Sequence, residues 1–193
     1  MKILSFKRIE KKYLINQSQY EELLKGIRGH MKLDPYCENN KTYKIQNIYY
    51  DTINNTLISN SINKPIYKEK LRVRKYYEAD SYFIELKKKA CGVVGKRRVV
   101  VNKEELDSFF SGDNLDHITD YESRMAIKEI KYLMKRYELM PKVYLSYDRL
   151  GFFDLEDPTL RLTLDNNIHS RRSNLSFKTD ESTIDVIKKD EYI

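Results

Sequence analysis

What most limits the folding of this chain is an alternation of charge and apolarity that returns in one short segment after another. Side chains along a β-strand point to opposite faces in turn, so residue parity sorts them. Arg72 and Arg74 share one parity against Leu71 and Val73. Glu85 and Lys87 oppose Ile84 and Leu86, and Lys96 and Arg98 oppose Val99 and Val101. Arg161, Thr163 and Asp165 oppose Leu160, Leu162 and Leu164, and near the N-terminus Arg8, Glu10 and Lys12 share a face. Strands are expected over 6–15, 43–51, 68–77, 82–89, 96–101, 143–153 and 160–168, with hairpin turns at 78–81 and 91–95. In the sixth of these, Val143 and Leu145 share parity with Tyr147 and Arg149, which calls for a bulge or for shifted boundaries.

A half-buried sheet whose charges simply face water shows the same alternation. The composition of the ionic faces argues against that. Their bases are Arg8, Lys12, Arg72, Arg74, Lys87, Lys96, Arg98 and Arg161, against the acids Glu10, Glu85 and Asp165. Like charges ~6 Å apart cost on the order of 3 kcal/mol at an effective dielectric of ~20, so so one-sided a face calls for an anion.

Three helices supply the cover for the apolar faces. Ser18 and Glu21 read as a capping box before Tyr20, Leu23, Leu24 and Ile27. Asn102 and Glu105 open a second helix carrying Leu106, Phe109 and Phe110. Thr119 and Glu122 open a third, with Ala126, Ile130, Leu133, Met134 and Tyr137 on one stripe and Pro141 as its stop. Segments 54–63 and those after Ser170 are ambiguous. Helices outside leave the ionic faces inside. The expected fold is therefore α+β, mainly antiparallel β, with a basic interior.

Bulk properties agree. At 193 residues one domain is expected, and 40% hydrophobic with 34% charged residues is a globular composition. A net charge of +7 suits a polyanionic partner. No apolar run approaches the ~20 residues of a membrane helix. Cys37 and Cys91 have neither metal nor redox spacing and read as free thiols in a reducing, cytoplasmic setting. His30, His117 and His169 form no ligand or triad pattern.

Several of these segments resemble a known family. Arg8-Ile9-Glu10-Lys11-Lys12-Tyr13 is similar to the R-x-E-x-K-Y opening of the VTC domain, the polyphosphate polymerase module of the triphosphate tunnel metalloenzyme superfamily. Ile48-Tyr49-Tyr50-Asp51-Thr52, Leu71-Arg72-Val73-Arg74, Phe83-Ile84-Glu85-Leu86-Lys87 and Lys96-Arg97-Arg98 resemble successive family strands. Ser146-Tyr147-Asp148-Arg149 and Leu160-Arg161-Leu162-Thr163-Leu164-Asp165 complete the series. The resemblance implies a tunnel-like barrel of about eight antiparallel strands with helices outside. It also implies transfer of the γ-phosphate of ATP or another nucleoside triphosphate to a growing polyphosphate chain, with Mn²⁺ or Mg²⁺.

The resemblance assigns Lys12, Arg72, Arg74, Lys87, Arg149 and Arg161 to the reacting phosphates, with Lys96 and Tyr147 beside them. Arg98 and Arg8 join by parity. Glu10, Glu85 and Asp165 are the acids of the ionic faces, and each is a candidate metal ligand or a salt-bridge partner for a neighbouring base. The hydrolase branch opens E-x-E-x-K, and Arg8 in place of the first acid favours the polymerase branch. The chain ends about where the family's closing E-x-K strand should begin, so a C-terminally truncated single domain over 1–193 is expected. The alternatives are a triphosphate or nucleoside triphosphate hydrolase of the same fold and a non-catalytic polyphosphate-binding module, with a membrane-bound recruiting partner left open. Nucleic acid ranks low, because aromatics are rarely interleaved with the bases.

Overall fold

A computed structural model describes residues 10–63, 66–77, 79–91, 93–179 and 181–193. Ten strands and four α-helices follow one another along it. The strands are β1 (Ile15–Asn16), β2 (Met31–Leu33), β3 (Tyr43–Asp51), β4 (Tyr67–Tyr76), β5 (Tyr82–Ala90), β6 (Val93–Val101), β7 (Met140–Asp154), β8 (Arg161–Arg171), β9 (Ile184–Asp185) and β10 (Glu191–Tyr192). The helices are α1 (Gln17–Gly26), α2 (Thr56–Ile62), α3 (Lys103–Ser111) and α4 (Tyr121–Tyr137), with a 3₁₀ turn at Pro35–Asn40. One antiparallel sheet runs β6-β5-β4-β3-β7-β8-β9, with β2 on β7 beyond the start of β3. β1 and β10 pair separately. Among the described residues β6 pairs only with β5, so the sheet is not closed.

The apolar parity of β4, β5 and β6 turns toward α3 and α4. Leu71, Val73, Ile84, Leu86, Val99 and Val101 form the main core with Leu106, Phe109, Ala126, Ile130 and Leu133. At ~1.5–3 kcal/mol for each large apolar side chain buried, this layer dominates the stability of the domain. α1 lays Tyr20, Leu23, Leu24 and Ile27 over a second cluster of Cys37, Leu150, Phe152 and Leu164. The ionic parity lies on the opposite face, called the inner face below.

Local chemistry sets the helix ends. Asn102 and Glu105 form the expected capping box. The other two caps are shifted. Asn16 with Gln19, rather than Ser18 with Glu21, caps α1, and Asp120, rather than Thr119, caps α4 by accepting from the Ser123 N–H. Asn and Asp carry the short acceptor that reaches these N–H groups best. α4 ends at Glu138, in the left-handed region at φ 42°, and Pro141 lies already inside β7. The ambiguous segment 54–63 holds α2, whose Leu57 and Ile58 N–H groups donate to buried Asp51 at 2.8 and 2.9 Å. That contact gives Asp51 a structural task.

The strand expected over 6–15 is regular only at Ile15–Asn16; positions 6–9 lie outside the described residues. The turn expected at 91–95 is shorter, because β6 starts at Val93. The register between β7 and β8 shifts between Ser146 and Asp148, but the extra residue falls in β8, where Asn167 adopts φ 48°, so the bulge does not move Val143 and Leu145 off the face of Tyr147 and Arg149. Val143, Leu145, Tyr147 and Arg149 all share the inner face, as their pairing with Tyr49, Asn47, Ile45 and Tyr43 requires. Here the inner face is apolar as well as ionic: Ile45, Tyr147 and Ile168 cluster with Leu145, Ile187 and Ile193. The C-terminal segment is fixed over that patch by reciprocal backbone bonds between Ile193 and Asp165, at 2.8 and 2.9 Å. No helix among the described residues is long and apolar enough to cross a membrane, and Cys37 and Cys91 are free thiols.

Candidate functional site

β4 sits at the centre of the ionic surface. Its inner parity presents Lys68, Lys70, Arg72 and Arg74; β5 adds Lys87 and Lys89, and β6 adds Lys96 and Arg98. Against these the three strands offer one inner carboxylate, Glu85. Cross-strand register aligns Arg98, Glu85, Arg72 and Tyr49 in one row, and Lys96, Lys87 and Lys70 in the next.

Glu85 is the pin of the cluster. Only 2% of its side chain is exposed, and it accepts from Arg72 Nε and Arg98 Nε at 2.7 Å each and pairs with Lys96 at 2.8 Å. Burial pushes its carboxyl up, but Arg72, Arg74, Lys96 and Arg98 together hold it far below the usual carboxylate range. Arg72 also donates to Tyr49 Oη at 3.1 Å. Charged hydrogen bonds of this kind fix a guanidinium fork in place ahead of any ligand.

Arg74 is different. It is only 7% exposed, and its donors reach neutral acceptors: Asn47 Oδ1 at 3.0 Å and Tyr147 Oη at 3.0 Å. Among the described residues no carboxylate forms an ion pair with it. Its nearest counter-charge, Glu85, acts on it without a direct contact and is already shared by three other bases. A buried cation so weakly compensated is costly, and an anion on this face would relieve it. Lys70 likewise has no acid partner among the described residues. Burial first, then Lys68, Lys87 and Lys12, push its ammonium pKa down, with Tyr49 opposing. Lys96 is also lowered, by burial ahead of Arg98 and Arg72, even with Glu85 beside it.

The outer face provides a control. There Lys88 and Arg97 meet Glu129 at 3.0 and 2.8 Å, and Lys88 lies 3.9 Å from Glu69, so two bases face two acids. With Lys75 the outer face of these strands sets three bases against two acids, whereas the inner face holds eight bases against one, so most of the surplus is inward.

The remaining expected residues fall into three places. Lys12 and Lys87 are exposed and lie 3.6 and 3.5 Å from Glu10, which brings the N-terminal segment over the lysine end of the cluster. Arg149 is held in a two-point pair by Asp165, 2.7 Å at each contact, and stacks 5.1 Å from the Tyr147 ring. Tyr147 thus links Arg74 to Arg149. Arg161 is not brought to the Glu85 cluster: it lies four residues along β8 from Asp165, roughly 13 Å, pairs with buried Asp34 at 2.8 Å and stacks on Phe153. Arg8 lies outside the described residues.

The carboxylates also separate. Glu10 serves Lys12 and Lys87, Glu85 serves Arg72, Lys96 and Arg98, and Asp165 serves Arg149. A shared three-carboxylate metal site is not formed, and among the described residues no three His, Cys, Asp or Glu side chains converge. Of the three, Glu10 alone is loosely held and exposed. Burial raises its pKa, but Lys87 and Lys12 outweigh that and keep it below the usual range, so it is an available anionic oxygen donor.

Lys68, Lys70 and Lys89 were within reach of the parity argument, since Lys68-x-Lys70-x-Arg72-x-Arg74 is one unbroken run. Asn47 and Tyr49 carry the same signal in a strand whose inner face is mixed. Asp34 gives none, because it lies between elements and meets Arg161 only in the folded chain.

An open antiparallel sheet, helices on its apolar face and a basic surplus on the other together define the class: a tunnel-like antiparallel fold. The family model for the VTC domain matches residues 7–193, and the chain belongs to that family. A proposed adenylate cyclase from Bacillus halodurans shares the fold, with a TM-score of 0.53 and 18% identity over 89% of this chain and 76% of that one. A proposed adenylyl cyclase from Hippeastrum, described as having a dominant triphosphatase activity, aligns with a TM-score of 0.44 and 15% identity, over 93% of this chain and 73% of that one. No curated protein matches the sequence significantly.

Proposed function

We propose that this domain transfers the γ-phosphate of a nucleoside triphosphate to the end of a polyphosphate chain lying along the inner face. The observation that carries the reading is the surplus of positive charge there, above all buried Arg74, which makes no direct ion pair among the described residues. Phosphoryl transfer asks little covalent work of a protein; it needs the phosphates positioned and their charge met by fixed donors. Arg72 and Arg98, held by Glu85, and Arg74, held by Asn47 and Tyr147, are such donors. In the reaction the bond from the γ-phosphorus to its bridging oxygen breaks and the nucleoside diphosphate leaves. A terminal oxygen of the chain forms the new bond.

Transfer to a phosphate suits these residues better than transfer to water. A chain-end oxygen is already anionic, so it needs alignment and not deprotonation. Glu85 and Glu10 are both held below the ordinary carboxylate range, which makes them poor proton acceptors near neutrality. A divalent cation would be held chiefly by the phosphates with Glu10 as its protein ligand, supplying further charge neutralisation when bound. The test is to incubate the protein with ATP and Mn²⁺ or Mg²⁺ and resolve the products by chain length. Long phosphate chains are expected. Free phosphate as the main product would make the domain a hydrolase, and binding without turnover would make it a polyphosphate receptor.

A further inference from the structure

The inner face carries aromatic side chains as well as bases, and beyond Tyr49 and Tyr147 a group of them lies together at one end. Tyr36, Tyr43, Tyr76 and Phe83 form a row with successive ring centroids 6.2, 6.0 and 5.4 Å apart. Tyr43, Tyr76 and Phe83 come from three adjacent strands and share the parity of Asn47, Arg74 and Glu85. Arg98 stacks 4.7 Å from the Phe83 ring, and Arg74 lies 6.0 Å from that of Tyr76. Other close aromatic contacts, Tyr50–Phe110 and Phe109–Phe110, belong to the helix-covered core. This row is only half covered, and Tyr36 at its end is 81% exposed.

We infer that this row is a subsite for the base of a nucleoside triphosphate, which directs the phosphates from Arg74 toward Lys70. The inference rests on the phosphate-binding reading of the inner face. Its length fits: Tyr76 is two residues from Arg74 and four from Arg72, roughly 6.6 and 13 Å along the strand. A base stacked on the row sets its own phosphates over the arginines, with the lysine end left for the polyphosphate chain. Every base has a π-face, so such a subsite favours nucleotides over inorganic triphosphate without strong choice among bases. Arg98 and Arg74 belong to both halves, touching ring faces on one side and phosphate on the other.

The experiment is a pair of calorimetric titrations, one with ATP and one with inorganic triphosphate. They compare the unchanged protein, Tyr36→Ala, and a Tyr76→Leu/Phe83→Leu double variant that keeps apolar volume while removing the π-faces. ATP affinity is expected to fall about tenfold in the double variant and severalfold in Tyr36→Ala, with triphosphate affinity within twofold in both. Tyr36 is exposed, so its variant reports on binding even if the double variant folds poorly. Equal losses for both ligands, or no loss for ATP, would overturn the subsite and leave the phosphate reading standing. An unchanged protein that binds neither ligand would overturn both.

Discussion

Glu85 is where folding and function meet in one side chain. Its carboxylate is almost fully buried and compensates three cations, so Glu85→Gln leaves Arg72, Lys96 and Arg98 mutually repelling. Removing one member of a buried charge network costs ~3–5 kcal/mol. Thermal melts should show a drop of that order, and added triphosphate should restore more stability to Glu85→Gln than to the unchanged protein. The pH dependence has a definite sign. Because the folded-state pKa lies below the unfolded value of ~4.3, the contribution of Glu85 is fully present above that value and is lost as pH falls below it. The unchanged protein should therefore lose stability below about pH 4–5 in a way the Gln variant does not. A variant with unaltered melting and an unaltered acid limb would mean that Glu85 pins nothing.

At the scale of the element, β4 separates the two tasks by parity. Leu71 is fully buried under α3 and α4, whereas its neighbour Lys70 faces inward among bases. Leu71→Ala should cost about 2–5 kcal/mol of stability. Lys70→Ala should leave the melting temperature level or slightly raised, and weaken binding of long polyphosphate more than of triphosphate. Melting curves and titrations with the two ligands separate the cases. If Lys70→Ala destabilised the fold like Leu71→Ala, the inner lysines would be structural.

This separation is also why so much was legible in the sequence. Alternation over 68–77 and 82–89 placed two strands within a residue of their ends, because period-two patterning and backbone pairing have one geometric origin. It placed Arg72, Arg74, Lys96 and Arg98 on one face for the same reason. What parity cannot see is distance across the sheet. It therefore left Glu10, Glu85 and Asp165 each open as a metal ligand or a salt-bridge partner, and the folded chain gives each its own bases. The resemblance set Arg161 with Arg72 at the phosphates, although Asp34 holds it elsewhere. The short pairing of β1 with β10 is fixed by contacts between the two ends of the chain, such as the Tyr20–Tyr192 stack at 4.1 Å, and local pattern carries no trace of those.

At the scale of the whole molecule, charge is divided: close to balanced on the helix side of the sheet, in large surplus on the other. On the proposed function, that surplus persists because a polyanion is its missing partner. Calorimetric titration of triphosphate into the unchanged protein and into an Arg72→Ala/Arg74→Ala variant tests this most directly. Two charge-assisted contacts of ~1.5–3 kcal/mol each predict a loss of affinity greater than tenfold. Lysine at both positions should restore only part of it, because the planar fork is gone. Affinity unchanged in the double alanine variant, with the fold intact, would contradict the assignment of the inner face as the phosphate site.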